Sequence, residues 1–110
     1  MRILFDHGTP APLAACLEGH TVTKALERGW DRTVNGLLLS VAEAAGFDVL
    51  LTTDRNMRYQ QNLSGRRIAL VILGNQEWPH VKLHVERIAA AVNACKPGTL
   101  IEVEISFLSR

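Results

Sequence analysis

Asp48-Val49-Leu50-Leu51-Thr52-Thr53-Asp54 lies near the middle of the chain and decides the reading of its fold. Three apolar residues in a row read as a short strand, and that strand runs into an aspartate. The first strand candidate ends in the same way, Ile3-Leu4-Phe5 running into Asp6. Ile68 to Leu73 is apolar throughout, as expected of a strand covered on both faces.

Helical patterns separate these runs. After Asp6, Thr9 offers an N-cap with Pro10 at the first helical position, where its missing N–H costs nothing. Leu13, Cys16 and Leu17 follow at helical spacing, and Thr21-Val22-Thr23 makes a second short strand. Residues 25–33 read as irregular, with Gly29 and Trp30 at their centre. Asn35 then caps a helix from Gly36 to Ala45, striped by Leu38, Val41, Ala42 and Ala45, with Gly46 and Phe47 closing it. The polar stretch Arg55 to Leu63 reads as one or two helical turns before the Ser64-Gly65 turn.

Pro79 opens the last helix. Val81, Val85, Ile88, Val92 and Cys95 recur along it at spacings of 4, 3, 4 and 3, one continuous stripe. Lys96-Pro97-Gly98 stops it. From Thr99 to Phe107 apolar and acidic residues alternate, which suits an edge strand with Glu102 and Glu104 on its wet face.

This alternation predicts an α/β fold: a parallel sheet of about five strands with helices on both faces. The preferred strand order is 2-1-3-4-5. In that order a crevice lies beyond the carboxyl ends of strands 1 and 3, where the winding reverses. Asp6 and Asp54 both end strands at that point. Two neighbouring carboxylates repel unless a cation or proton is shared, and a hard divalent ion is the usual solution. The alternative is that each aspartate caps the backbone N–H groups that follow it.

Composition bounds the rest. The chain has 110 residues, 47% hydrophobic and 21% charged, with 12 basic residues against 11 acidic. That fits one domain, residues 1–110, and excludes disorder driven by charge. No apolar run approaches a membrane span, and the first 20 residues, with Asp6, His7, Pro10 and Pro12, do not read as a secretory leader. Cys16 and Cys95 read as small core residues of a reducing compartment, which predicts a cytoplasmic location. Charge is uneven: Arg55, Arg58, Arg66 and Arg67 stand against one acid, Asp54, between residues 52 and 68, a net of +3. Such a segment either attracts phosphate or solubilises a turn. No glycine-rich phosphate loop is present. His80 and His84, four apart, read as helix-surface residues lacking a third metal ligand.

These residues resemble a family. Ile3-Leu4-Phe5-Asp6 with Pro10 and a following helix is similar to the start of the small PIN-like domains. Asp48 to Asn56 is similar to their second signature. Gly29-Trp30, Asn35-Gly36-Leu37-Leu38 and Arg58-Tyr59-Gln60-Gln61-Asn62-Leu63 resemble one subgroup of short PIN-like proteins of unassigned function, grouped as DUF5615. The resemblance covers residues 1–73.

The resemblance implies a Rossmann-like PIN fold and Mg²⁺- or Mn²⁺-dependent cleavage of RNA, often as the toxin half of a toxin–antitoxin pair. Asp6 matches the first acid and Asp54 a later one, which makes them the expected catalytic and metal-binding residues. The positions of two further acids fall at Asn35 and Asn56. An amide oxygen ligates a metal but brings no charge, and Asn35 also has a sufficient explanation as a helix cap. Glu43, the next carboxylate on the middle helix, lies two turns in and too far to replace Asn35. Arg55 and Arg58 are expected on the phosphate backbone, with Tyr59 stacked on a base. The expected partners are RNA, an antitoxin-like protein and a second copy of the chain in a homodimer, with no membrane. The alternative function is a PIN-like module that has lost cleavage and binds RNA or a partner protein.

Overall fold

The structure, a computed structural model, describes residues 1–33, 35–57 and 63–105, with Asn35 described by its backbone only. Five strands form one sheet: β1 (Arg2–Phe5), β2 (Thr21–Lys24), β3 (Val49–Thr52), β4 (Ala69–Leu73) and β5 (Leu100–Val103). Their order is β2-β1-β3-β4-β5, and every pairing is parallel. This is the expected 2-1-3-4-5 arrangement of a small Rossmann-like α/β fold. The winding reverses between β1 and β3, where Leu4 stands beside Leu50 and Phe5 beside Leu51.

Side chains alternate across a strand, so each central strand feeds both faces. Ile3, Phe5, Val49, Leu51, Ala69, Val71 and Leu73 enter one core; Leu4, Leu50, Ile68, Leu70 and Ile72 enter the other. Helix α1 (Asn35–Ala44) covers the second face with Leu38, Leu39 and Ala42. The first face is covered by a 3₁₀ helix (Ala11–Cys16) and by α2 (Trp78–Val81) and α3 (Val85–Ala94), through Leu13, Val81, Ile88 and Val92. Among the described residues no helix is long and apolar enough to cross a membrane.

Helix α1 closes as its sequence predicts. The N–H of Phe47 reaches the Ala42 carbonyl and that of Gly46 reaches Glu43, both at 3.0 Å, with Gly46 at φ +88°. This pairing uses carbonyls that the helix end would otherwise leave unmatched. Phe47 then packs edge-on against Trp30, and the Arg2 guanidinium lies 4.5 Å from the Phe47 ring centre. Trp30 therefore belongs to the second core, a role the irregular reading of residues 25–33 did not contain.

Four expectations need correction. The segment after Asp6 is 3₁₀ rather than α, and Pro10, not Thr9, stands at its cap. The Thr9 hydroxyl is used elsewhere, donating to the Leu51 carbonyl at 3.2 Å. The last helix begins at Trp78 rather than Pro79, and Lys82–His84 tightens to 3₁₀ between α2 and α3. Strand β5 ends at Val103 rather than Phe107; Ile105 is still buried and Glu104 exposed, as alternation requires. The Thr99 hydroxyl bonds Lys96 in the preceding turn. The proposed helical turns after Arg55 fall mostly outside the described residues, as does Phe107; Met57 and Leu63 flank that gap and are buried.

Candidate functional site

The parallel ladder continues one step past β1: the Asp6 N–H donates to the Leu51 carbonyl at 3.0 Å. Asp6 is thereby held beside Thr52, the last residue of β3. The Thr52 side chain is fully buried, and its hydroxyl donates to Asp6 Oδ2 at 2.7 Å while accepting the Asp54 N–H at 3.1 Å. A hydroxyl has one proton to give and two lone pairs to receive with. Here one hydroxyl ties the two strand-end aspartates together.

Each aspartate also caps its own turn. Asp6 Oδ1 accepts the His7 N–H at 2.7 Å, and Asp54 Oδ1 accepts the Asn56 N–H at 3.0 Å. The capping alternative is thus realised. It does not exhaust the carboxylates, since each has about four lone-pair positions. Asn56 lies exposed in the turn after Asp54, where its backbone serves that cap. Asn35 opens α1; its side chain, and with it the expected capping or ligating role, lies outside the described residues.

Glu43 has another task. Its carboxylate accepts the backbone N–H groups of Arg67 and Ile68 and pairs with the Arg66 guanidinium at 3.4 Å. The Arg67 N–H is the main reason the carboxyl is held below its ordinary range; burial opposes it, and the Ile68 N–H and the charges of Arg66 and Arg67 add to it. Arg66 also reaches the Ser40 hydroxyl at 3.3 Å. Half of the basic segment therefore fastens the approach to β4 onto α1. Of the arginines expected on phosphate, Arg55 stands at the carboxyl end of the sheet with Nη2 donating to the Gly74 carbonyl at 2.8 Å. Arg58 and Tyr59 lie outside the described residues.

Neither histidine pair nor cysteines assemble a centre. His80 approaches Glu77 at 3.8 Å, whereas His84 approaches Arg87 at 3.4 Å. Cys16 and Cys95 are unbridged and half-buried against the first core; burial pushes the Cys95 thiol up, and its Sγ donates to the Ala91 carbonyl at 3.3 Å. Among the described residues no group of three or more His, Cys, Asp or Glu side chains is placed to hold a metal.

No family model, curated protein or solved structure matches the chain. The site is therefore read from its own chemistry.

One element of it went unread in the sequence. Beyond the ends of β3 and β4 lies a pocket of about 290 Å³ lined by Thr53, Arg55, Gly74, Asn75, Gln76 and Glu77. A second hollow of about 380 Å³ continues from Arg55 and Gly74 toward Arg87, Glu102 and Glu104 at the end of β5. The signal was present: Gly74-Asn75 directly follows the fully apolar run of β4, at the carboxyl edge where such sheets bind ligands.

Proposed function

We propose that the chain is a PIN-like, divalent-metal-dependent endoribonuclease in which Asp6 and Asp54 hold one Mg²⁺ or Mn²⁺ ion. The observation that supports it most directly is the Thr52 hydroxyl, which joins both aspartates at the winding reversal of the sheet. The donors there fit such an ion: carboxylate oxygens are hard ligands of the kind magnesium and manganese prefer. Two carboxylates balance the charge of one ion and leave none for a second. The PIN-like resemblance adds the biological setting, the toxin half of a toxin–antitoxin pair.

When bound, the ion supplies positive charge for the phosphodiester and a more acidic water for the attack. The chain supplies the rest. Asp6 and Asp54 gather the negative charge that holds the ion, and Thr52 fixes Asp6 Oδ2 relative to Asp54. Arg55 stands at the same edge with its guanidinium anchored on Gly74, a geometry suited to a phosphate oxygen.

The test is single-stranded RNA incubated with Mn²⁺, Mg²⁺ or chelator. Cleavage is expected only with metal and is lost in Asp54→Asn, which keeps the shape and removes one of two charges. Asn35→Asp raises Mn²⁺ affinity and cleavage where the amide stands at a ligand position; a mere helix cap works equally well as aspartate, and nothing changes. Cleavage that survives both chelator and Asp54→Asn refutes the proposal.

A specific observation favours the second reading, an RNA- or protein-binding module without cleavage. Two positions that the resemblance gives to acids carry amides, and no third ligating group joins the aspartates among the described residues. RNA binding with no cleavage under any condition selects it.

A further inference from the structure

Asn75 carries a buried donor with no acceptor among the described residues. The residue is 5% exposed, and its Oδ1 accepts the Glu77 N–H at 2.8 Å, which fixes which end of the amide is which. Nδ2 is buried and has no hydrogen-bond partner among the described residues. Leaving such a group unmatched forfeits its hydration without a replacement bond, so natural chains rarely keep one without a use. Asn75 lines the 290 Å³ pocket together with Arg55.

We propose that this pocket is a phosphate subsite, in which Asn75 Nδ2 and the Arg55 guanidinium bind the oxygens of one phosphate group. A neutral donor and a cation lining one pocket, the cation being the guanidinium anchored on Gly74, suit an oxyanion better than a neutral carbonyl. The acid on the rim, Glu77, is drawn toward His80 at 3.8 Å. The pocket adjoins the aspartate pair. Thr53 precedes Asp54, and the space a side chain at Gly8 would fill lies 3.4 Å from Thr53 Oγ1 and 3.7 Å from Gln76 Oε1. Gly8 is two residues past Asp6, so the loop after β1 lies beside Thr53 and Gln76 at the rim of the pocket. The subsite thus holds a phosphate neighbouring the one that Asp6 and Asp54 engage. That the phosphate belongs to an RNA strand rests on the ribonuclease reading; that the pocket takes phosphate does not.

The experiment is done on the full chain in chelator, so that no metal site contributes. Inorganic phosphate, a single-stranded oligoribonucleotide with hydroxyl ends and the same strand with a 5′-phosphate are titrated while the Asn75 side-chain amide signals are followed by NMR. The signals are expected to move saturably with phosphate. Asn75→Ser keeps a hydroxyl acceptor for the Glu77 N–H and removes Nδ2 without adding a charge that would itself repel phosphate, and the remaining amide spectrum checks the fold. Its phosphate affinity is expected to fall about tenfold or more, the loss usual for a charge-assisted hydrogen bond. If both strands move the signals, the subsite reads a diester; if only the phosphorylated strand does, it reads a terminal phosphate. Asn75 signals that stay still in every titration, or an Asn75→Ser protein that binds phosphate as the native one does, overturn the proposal and leave the pocket to ordered water. The two proposals fail separately. Phosphate binding through Asn75 without RNA cleavage removes the nuclease alone, and cleavage with a silent Asn75 removes the subsite alone.

Discussion

Thr52 reaches across the strand pair to Asp6: its hydroxyl donates to Asp6 Oδ2 at 2.7 Å, from a fully buried position. The same oxygen receives the Asp54 N–H. The two aspartates are therefore positioned through one side chain that neither composition nor charge singles out.

Thr52→Val keeps the shape and removes both bonds. It leaves the Asp54 N–H without that acceptor, at a cost of about 1–3 kcal/mol. Urea unfolding is expected to show a lower midpoint at unchanged slope, and Mn²⁺ affinity is expected to fall with it. Thr52→Ser restores both. A Thr52→Val protein with native midpoint and native metal affinity shows that the bridge is incidental.

Glu43 makes stability sensitive to acid. Its folded pKa lies below the ordinary value of 4.5, chiefly because the Arg67 N–H bonds the charged form. A depressed carboxyl stabilises the fold above its unfolded pKa and loses that contribution as pH falls through the folded value. Glu43→Gln is therefore expected to be less stable than the native chain at neutral pH, with the two converging below pH 4.5. Equal stability at neutral pH in urea melts counts against the role given to this clamp.

Gly74 sits where three elements meet. A Cβ there would stand 3.0 Å from the Ile105 nitrogen and 3.1 Å from Arg55 Nη2. The backbone contact cannot yield as a flexible side chain does, so Gly74→Ala is expected to cost about 1–3 kcal/mol. It also dislodges Arg55 from the Gly74 carbonyl, so phosphate affinity falls together with stability. Thermal melts and phosphate titration of the variant check both.

The two cores are separated by the sheet. Ile88 belongs to the one and Ile68 to the other, both fully buried. Ile88→Val and Ile68→Val are each expected to cost about 0.5–1.5 kcal/mol. With no shared partners, their effects add to within about 0.5 kcal/mol in the double variant. A larger coupling in a double-mutant cycle shows that strain crosses the sheet.

The strand order was legible because three apolar runs of strand length alternate with helical stripes, and a parallel order then leaves few choices. Asp6 and Asp54 were legible as strand ends. Thr9 was not, because its local context, Thr before Pro10, reads as a cap, while its actual partner lies on β3, 42 residues away. One arginine of the basic segment was hidden in the same way. Arg66 has an acid partner, Glu43, that is remote in sequence. Asn75 escaped notice since an asparagine after a glycine reads as a turn; only burial shows that one end of its amide is unmatched among the described residues.

The double-faced sheet has a consequence for which parts of the chain open first. Strand β3 lies between β1 and β4 with all four residues buried, whereas β2 and β5 are edges with exposed positions. Backbone amides exchange with solvent hydrogen according to the cheapest opening that frees them. Those of β3, like those of the equally buried β4, are expected to exchange only when the whole domain unfolds, and those of β2 and β5 through local fraying. Asp6 and Asp54 follow β1 and β3, two strands inside the sheet. The Glu102–Glu104 side of the hollow belongs to the edge strand β5 and the residues just after it. The carboxyl edge is thus expected to hold firm at the aspartates and to fray beyond Arg55, a difference that amide exchange along the sheet measures.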